Sequence, residues 1–405
     1  MWNRFYQLHC GIQHYPWGER RHGDKLPFIA NLLGLRDDGD EPFAELWIGA
    51  HERLPAGVVL ETGNVPLNEL IAEHPNELLG KQLTDQGIHS LPFLLKVLSC
   101  EKPLSIQAHP DLTLAAHLHA SDPEHYPDSN HKPEIAIALT DFEALCQFRE
   151  SGLVQADCRR LAALQGLFAE IAVEGSTWLR QAYRAVFEVP QAVISTRLSD
   201  LRSELQQAAA LTAEDQCFLR LQEQYPDDRG AFSAYFLNFL RLTPGDAVFL
   251  NANEPHAYLQ GTIIECMANS DNVVRAGLTN KFVDQDVLLQ MLTYREGAPA
   301  VGRGINVAPG DIRYGVPVPE FQVEFWCHDA GEVRTLASRE CISVLLVLSG
   351  AAQLRTPQGV TLEAHAGSVW LWPAALEEAD VLFLQAGTRV VRASPNYSPK
   401  DIEAN

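Results

Sequence analysis

Between Gly152 and Tyr225 the spacing of apolar residues changes, and that change limits the folds open to the chain. Leu161, Leu164, Phe168 and Ile171 fall three to four apart, as do Leu179, Tyr183, Val186 and Phe187. Such spacing lines one side of a helix with apolar groups. Pro190 and the Tyr225-Pro226 pair interrupt the run, so the block reads as several amphipathic helices. On either side the sequence is made of short apolar runs broken by Gly, Pro and Asn: LPAGVVL, LPFLLKVLS and PEIAIAL before it, and similar text from about Leu240 onward. Those runs read as strands. Helical patches are expected at Leu67 to Leu79, Leu112 to His119 and Val287 to Thr293.

The fold class expected is therefore mainly β with an α insertion. A chain of 405 residues has room for two or three units. The boundaries expected are residues 1–150 with 231–310, a helical insertion at 151–230, and a C-terminal β unit at 311–405. A faint repeat reads either as two related β units or as the common look of β-sandwich edges. GDAVFLNA, from Gly245, and GSVWLWPA, from Gly367, each give a glycine turn, a buried strand and a small-residue corner. The second copy has no counterpart of the metal-type residues described next.

In PLSIQAHPD, Gln107 and His109 are two apart and share one side of a strand. In HKPEIAIAL, Glu134 shares a side with Ala136 and Ala138, while Ile135, Ile137 and Leu139 take the other. Polar groups entering a core need partners, and a metal ion suits this mixture. His256 in NEPHAYLQG lies eleven residues past the repeat glycine and completes a candidate site of Gln107, His109, Glu134 and His256. Imidazole and carboxylate ligands suit zinc, and the lack of thiolate argues against a closed structural site. Two neutral imidazoles, an amide and one carboxylate leave a Zn²⁺ site at about +1. Taken singly, each residue also reads as an ordinary core or strand-edge group.

A second constellation runs from Ile263 to Asp284. Glu265 sits in apolar company, where its pKa should rise and suit proton transfer. Asp271, Arg275 and Lys281 follow in a stretch that reads as a loop, and Arg275 suits a phosphate or an enediolate. Trp17 in HYPWGER offers a wall for a sugar. Lys96 interrupts an apolar strand and needs an anion or a path to solvent, and Ser105 shares the side of Gln107.

Net charge and cysteines exclude several classes. The chain carries 31 basic and 52 acidic residues, a net −21, which makes nucleic acid and acidic membranes poor partners. No apolar run approaches the ~18 residues of a membrane span. The first residues show no apolar secretory region. Eight scattered cysteines with no CxxC pair fit reduced thiols and a cytoplasmic location.

YPWGE, AELWIGAH, PFLLKVLS, LSIQAHPD, HKPEIAIAL, NEPHAYLQG and SDNVVRAGLTNKFVD together resemble the type I phosphomannose isomerase family. The likeness runs from about Tyr6 into the C-terminal β unit, and the order QAHPD, HKPE, VRAGLTNK is its specific part. The resemblance implies two cupin-like β-sandwich (jelly-roll) domains with a helical insertion. It implies one zinc per chain on Gln107, His109, Glu134 and His256. It further implies a catalytic arginine at Arg275, acid–base groups near the substrate at Glu265 and Lys132 with Lys281 as a further candidate, and phosphate contacts at Lys96 and Ser105; Lys281, Trp17 and Asp271 are also expected among the substrate contacts. The reaction implied interconverts mannose 6-phosphate and fructose 6-phosphate, in a monomer whose partner is a small sugar phosphate. Two rivals remain at this level: a metal-containing cupin that binds a sugar without turnover, and an isomerase of another aldose phosphate.

Overall fold

A computed structural model describes residues 2–36, 39, 41–169, 171, 175–337 and 341–397. It is mainly antiparallel β, with a block of helices inserted in the sequence. Two large sheets and one small one form the framework. The sheet that carries the candidate site runs, in spatial order, through Val301–Gly302, Ala247–Leu250, Glu134–Ala138, His256–Ala268, Phe93–Cys100, Glu45–Gly49 and Gly11–Gln13. The other large sheet is built mostly from later sequence, including Gln322–His328, Thr388–Ser394, Ser343–Ser349 and Val369–Trp372. Early strands join it too: Tyr6–His9 pairs with Val369–Trp372 on one side and with Gly57–Leu60 on the other. Segment 1–150 thus contributes strands to both large sheets.

The two large sheets share one core. Leu95, Val97, Ile135, Ile137 and Ile264 from the first meet Val344, Leu346, Leu371 and Val391 from the second, all essentially sealed from water. Full burial of each such side chain favours folding by roughly 1.5–3 kcal/mol. The alternation in PEIAIAL is thereby explained: its isoleucines face this shared core, and its alanines face the inside of the first β unit.

Both repeat glycines turn left-handed, Gly245 at φ 93° and Gly367 at φ 83°, just before the strands Ala247–Leu250 and Val369–Trp372. Among the described residues, five α-helices lie where the amphipathic block is expected: Ser151–Arg160, Ala162–Phe168, Gly175–Glu188, Gln191–Gln206 and Ala213–Gln224. They bury Leu164, Phe168, Leu179, Tyr183 and Val186 in a separate core that also takes Ala257 and Leu259 from the long site strand. The smaller expected helices are present as Leu67–Glu73 with Pro75–Leu78, Leu112–Ser121 and Gln285–Met291. The eight cysteines form no disulfide. Among the described residues no helix is long and apolar enough to cross a membrane.

One glycine shapes the site directly. The strand His256–Ala268 changes neighbours at its middle. Its first part pairs with Phe142–Phe148 and Ile106–Ala108, and its second with Phe93–Cys100 and Glu134–Ala138. Gly261, at φ 111°, makes the corner, and a Cβ there would sit 2.3 Å from the Asp141 carbonyl oxygen. Only glycine fits. The bend lets two halves of one strand contribute His256 and Glu265 to the same interior.

Candidate active site

Gln107 occupies the middle of the short strand Ile106–Ala108. It is paired in register with His256 on one side and with Arg275, in strand Val274–Gly277, on the other. Directly paired residues project from the same face, so register alone lines up His256, Gln107 and Arg275. This corrects two expectations. Arg275 lies on a strand and not in a loop, because its segment pairs with Ile106–Ala108; Glu265 lies on the strand that pairs with Phe93–Cys100. His109 lies just past its strand, which ends at Ala108, and its carbonyl accepts from Asn253 N.

The two imidazoles and Glu134 form a cluster whose ligand atoms lie within 4.8 Å of one another. His109 Nδ1 is 2.7 Å from the Asn272 carbonyl oxygen, and His256 Nδ1 is 3.3 Å from that of Glu254. A carbonyl only accepts, so Nδ1 carries the proton in each ring and Nε2 is left as a lone pair. Those lone pairs face the Glu134 carboxylate, at 3.5 Å from His109 and 3.4 Å from His256. Acceptors therefore face acceptors, each about 1% exposed, and His109 Nε2 and Glu134 Oε2 have no hydrogen-bond partner. Burial, then the charge of Lys132, holds the His109 pKa down to about 4, so protonation does not resolve the conflict. A cation at the centre does. Gln107, whose amide lies 3.4 Å from His256 Nε2, adds a fourth donor once its oxygen is turned inward. The donor set fits zinc.

Beside the cluster opens a cavity of about 500 Å³. Trp17, Lys96, Ser105, Gln107, Lys132, Glu134, Glu265, Asp271, Arg275 and Lys281 all line it, while His109 and His256 stand behind its wall. Lys132 Nζ lies 3.2 Å from Glu134 Oε1. A row across three strands pairs Trp47 with Lys96 and Lys96 with Glu265. Lys96 Nζ is 3.0 Å from Glu265 Oε2 and 3.8 Å from Glu45 Oε1, all nearly sealed from water. The anion that Lys96 requires is thus internal. Burial opposes the charge on Lys96, but Glu265, Glu45 and Glu134 outweigh it and raise its pKa. Burial raises the Glu265 pKa as the apolar sequence around it implies, with Lys96 offsetting part of the effect.

Asp271 Oδ2 lies 3.4 Å from His51 Nε2 and 3.3 Å from Arg53 NH1. Burial pushes its carboxyl up, but these partners prevail and hold it at about 2. Arg275 and Lys281, by contrast, have no carboxylate within ion-pair distance among the described residues, and burial lowers the pKa of both. Two cations without counterions on one cavity wall suit an anionic ligand.

Sequence reasoning missed Glu45, Trp47, His51, Arg53 and Tyr258. For two of these a signal was available: in AELWIGAH, Glu45 and Trp47 alternate onto one face, and Trp47 Nε1 donates to Glu45 at 2.6 Å. Tyr258 lies two residues from His256 on the same face.

This framework and site define a mainly-β metalloenzyme with a cavity for a small anionic substrate. Residues 5–151 match the family model of the type I phosphomannose isomerase catalytic domain. The chain is 37% identical to mannose-6-phosphate isomerase of Macaca fascicularis, over 98% of this chain and 97% of that one. It belongs to the type I phosphomannose isomerase family. A mannose-6-phosphate isomerase of Arabidopsis thaliana is 36% identical over 93% of this chain and 92% of its own length. Among solved structures, a mutant phosphomannose isomerase from Salmonella typhimurium superimposes with a TM-score of 0.86 at 28% identity, over 97% of this chain and 99% of that one. A zinc-bound mannose 6-phosphate isomerase does so with 0.85 at 28% identity, over 97% and 100%.

Proposed function

We propose that this chain is a zinc-dependent aldose–ketose isomerase that interconverts mannose 6-phosphate and fructose 6-phosphate by proton transfer through a cis-enediol. The observation that carries the reading is the acceptor-only cluster of His109, Glu134 and His256 beside a cavity edged by the unpaired cations Arg275 and Lys281. Gln107, His109, Glu134 and His256 would hold the zinc, which when bound supplies Lewis-acid polarisation of substrate oxygens.

The chain's own groups account for the remainder. Glu265, with its raised pKa and buried setting, suits carriage of a proton between C2 and C1. Lys96 keeps it oriented. Lys132, the other acid–base candidate, is within reach of the ligand Glu134 and stands at the same end of the cavity. Arg275, directly opposite Gln107 in the register, faces the charge that develops on the enediolate. Lys281 and Ser105 serve the phosphate, fixing which carbon meets the base. Lys96, first assigned to the phosphate, is better used inside, since two carboxylates already claim it. Trp17, stacked on Tyr15 at 5.6 Å, forms an apolar wall, and Asp271 suits a sugar hydroxyl.

The same reading includes two cupin-like sandwiches, residues 1–150 with 231–310 and residues 311–405, and a helical insertion at 151–230, with Tyr6–His9 and Gly57–Leu60 of the first segment completing the large sheet of the second. The paired glycine turns support it; residues 398–405 lie outside the described ones. It also includes a cytoplasmic monomer, in keeping with eight thiols that form no disulfide.

The test is a coupled assay of fructose 6-phosphate formed from mannose 6-phosphate, run on zinc-loaded, chelated and zinc-restored protein. Activity should vanish on chelation and return with zinc, while the fold persists. Full activity in metal-free protein, or none in the zinc-loaded protein, would overturn the reading.

A further inference from the structure

Where the polar cavity meets its apolar floor, one group has no assigned work. Tyr258 is 2% exposed, and its ring packs edge-on against Phe142, 5.4 Å between centroids, and lies 6.0 Å from the His256 ring. Below it, Leu98, Ala136, Ala138, Ala144 and Ile263 close the floor. Ala144 is the residue registered opposite Tyr258, and an alanine there leaves the ring room to stand upright. Tyr258 lines the cavity, and its hydroxyl, sealed from water with Glu265 and Glu134 as its charged neighbours, has no hydrogen-bond partner in ordinary geometry. Buried polar groups are nearly always satisfied, and one that is not, in a ligand cavity, points to a bound partner.

The geometry points to Tyr258 as a substrate-touching residue: its hydroxyl donates a hydrogen bond to a substrate oxygen at the reacting end, beside Glu265. The inference rests on the isomerase reading given above. Tyr258 and Glu265 come from the two halves of one strand, brought to face one interior by the corner at Gly261. A tyrosine hydroxyl is ordinarily protonated and neutral at neutral pH. It keeps its proton throughout and acts by donation alone. A neutral donor serves an oxygen that gains negative charge without cancelling the charge of Glu265 or altering that of the metal centre. The cations around it, Lys96 and Lys132, are already held by carboxylates and cannot turn to the same oxygen without leaving them.

Tyr258→Phe removes one oxygen and keeps the ring. Wild type and variant are compared for zinc per chain, thermal midpoint, and kcat and KM for mannose 6-phosphate. The expected result is a fall in kcat of about 10- to 100-fold, with KM changed less than about threefold and with zinc content and thermal midpoint unchanged. Two outcomes overturn the inference. One is kcat and KM both within about twofold of wild type. The other is a loss of activity that tracks lost zinc or a lowered midpoint, which would make the hydroxyl a structural group. Wild type in the same assay separates the two levels: if it forms no fructose 6-phosphate the isomerase reading fails, and if it is active while the variant equals it, only the role of Tyr258 fails.

Discussion

Arg275 stands directly across from Gln107 in the sheet, and Gln107 in turn stands across from His256. The guanidinium is therefore tied to the metal centre by backbone hydrogen bonds between adjacent strands, and its position does not depend on a flexible loop. That rigidity matters for a group meant to meet developing charge, because preorganised charge needs no rearrangement during reaction.

Arg275→Ala should keep zinc and fold while lowering kcat/KM by about a hundredfold or more, the loss typical of one preorganised charged or polar donor. No carboxylate among the described residues is left unpaired by the change, so stability should move little. Arg275→Lys should recover only part, because an ammonium lacks the planar fork. Steady-state kinetics with metal analysis decide. Near wild-type kinetics in Arg275→Ala would make the residue a bystander.

Gln107 is a neutral donor where a carboxylate would bind metal better. Gln107→Glu should hold zinc at least as tightly, but it lowers the site charge from about +1 to about 0 by ligand counting. The new carboxylate would also face Arg275 across the register and pair with it. Both effects should lower kcat. Gln107→Leu should instead lower zinc affinity, measured by competition with a chelator. A glutamate variant as fast as wild type would refute the charge argument, and a leucine variant with normal affinity would remove Gln107 from the ligand set.

In the helical block, Asp215 is fully buried and accepts two hydrogen bonds from Arg160 at 2.9 Å, one from Tyr235 and one from Thr212 N. Burial pushes its carboxyl up, but Arg160, Thr212 and Tyr235 together bring the pKa below the ordinary 3.8. A depressed folded pKa gives stability that is complete above the unfolded value and lost as pH falls through the folded one. Asp215→Ala should cost about 3 kcal/mol or more by denaturant unfolding at neutral pH. The gap from wild type should hold steady from pH 8 to 5 and narrow below about 3.8. A gap that widens in acid would contradict this.

How much of this was legible in the sequence depends on whether the relation is local. Gln107 beside His109, Glu134 before two alanines, and the spacing of Leu179, Tyr183 and Val186 are fixed by strand and helix periods, so they could be read directly. Partnerships across sheets could not. Lys96 visibly lacked an anion, yet Glu265 is 169 residues away and meets it only through strand register. His51 reaches Asp271 from a comparably distant part of the chain. Tyr6–His9 gives no local sign that it will join a sheet built mostly from the last hundred residues. The segment around Arg275 looks like a loop because its strand is four residues long, and its pairing partner only three.

The Lys96–Glu265 pair offers the sharpest test of the interior, since both side chains are nearly sealed from water, at 7% and 4% exposed. Removing one partner of such a pair typically costs about 3–5 kcal/mol, because the other charge is left buried. In Lys96→Met the group left is Glu265. Burial then acts on it without the ammonium, so its folded pKa should climb further above the ordinary 4.5. A carboxyl with a raised folded pKa gives stability that is full below the unfolded value and lost as pH rises through the folded one. The deficit of Lys96→Met should therefore be smallest near pH 5 and grow towards pH 8, measured by denaturant unfolding of both proteins at each pH. Adding Glu265→Gln should recover much of the deficit at pH 8, because the stranded charge is gone, and the role proposed for Glu265 predicts that the double variant is inactive. If the deficit is flat across that range, or the double variant is no more stable than the single one, then Glu265 is not the charge that Lys96 balances, and Glu45 at 3.8 Å takes that place.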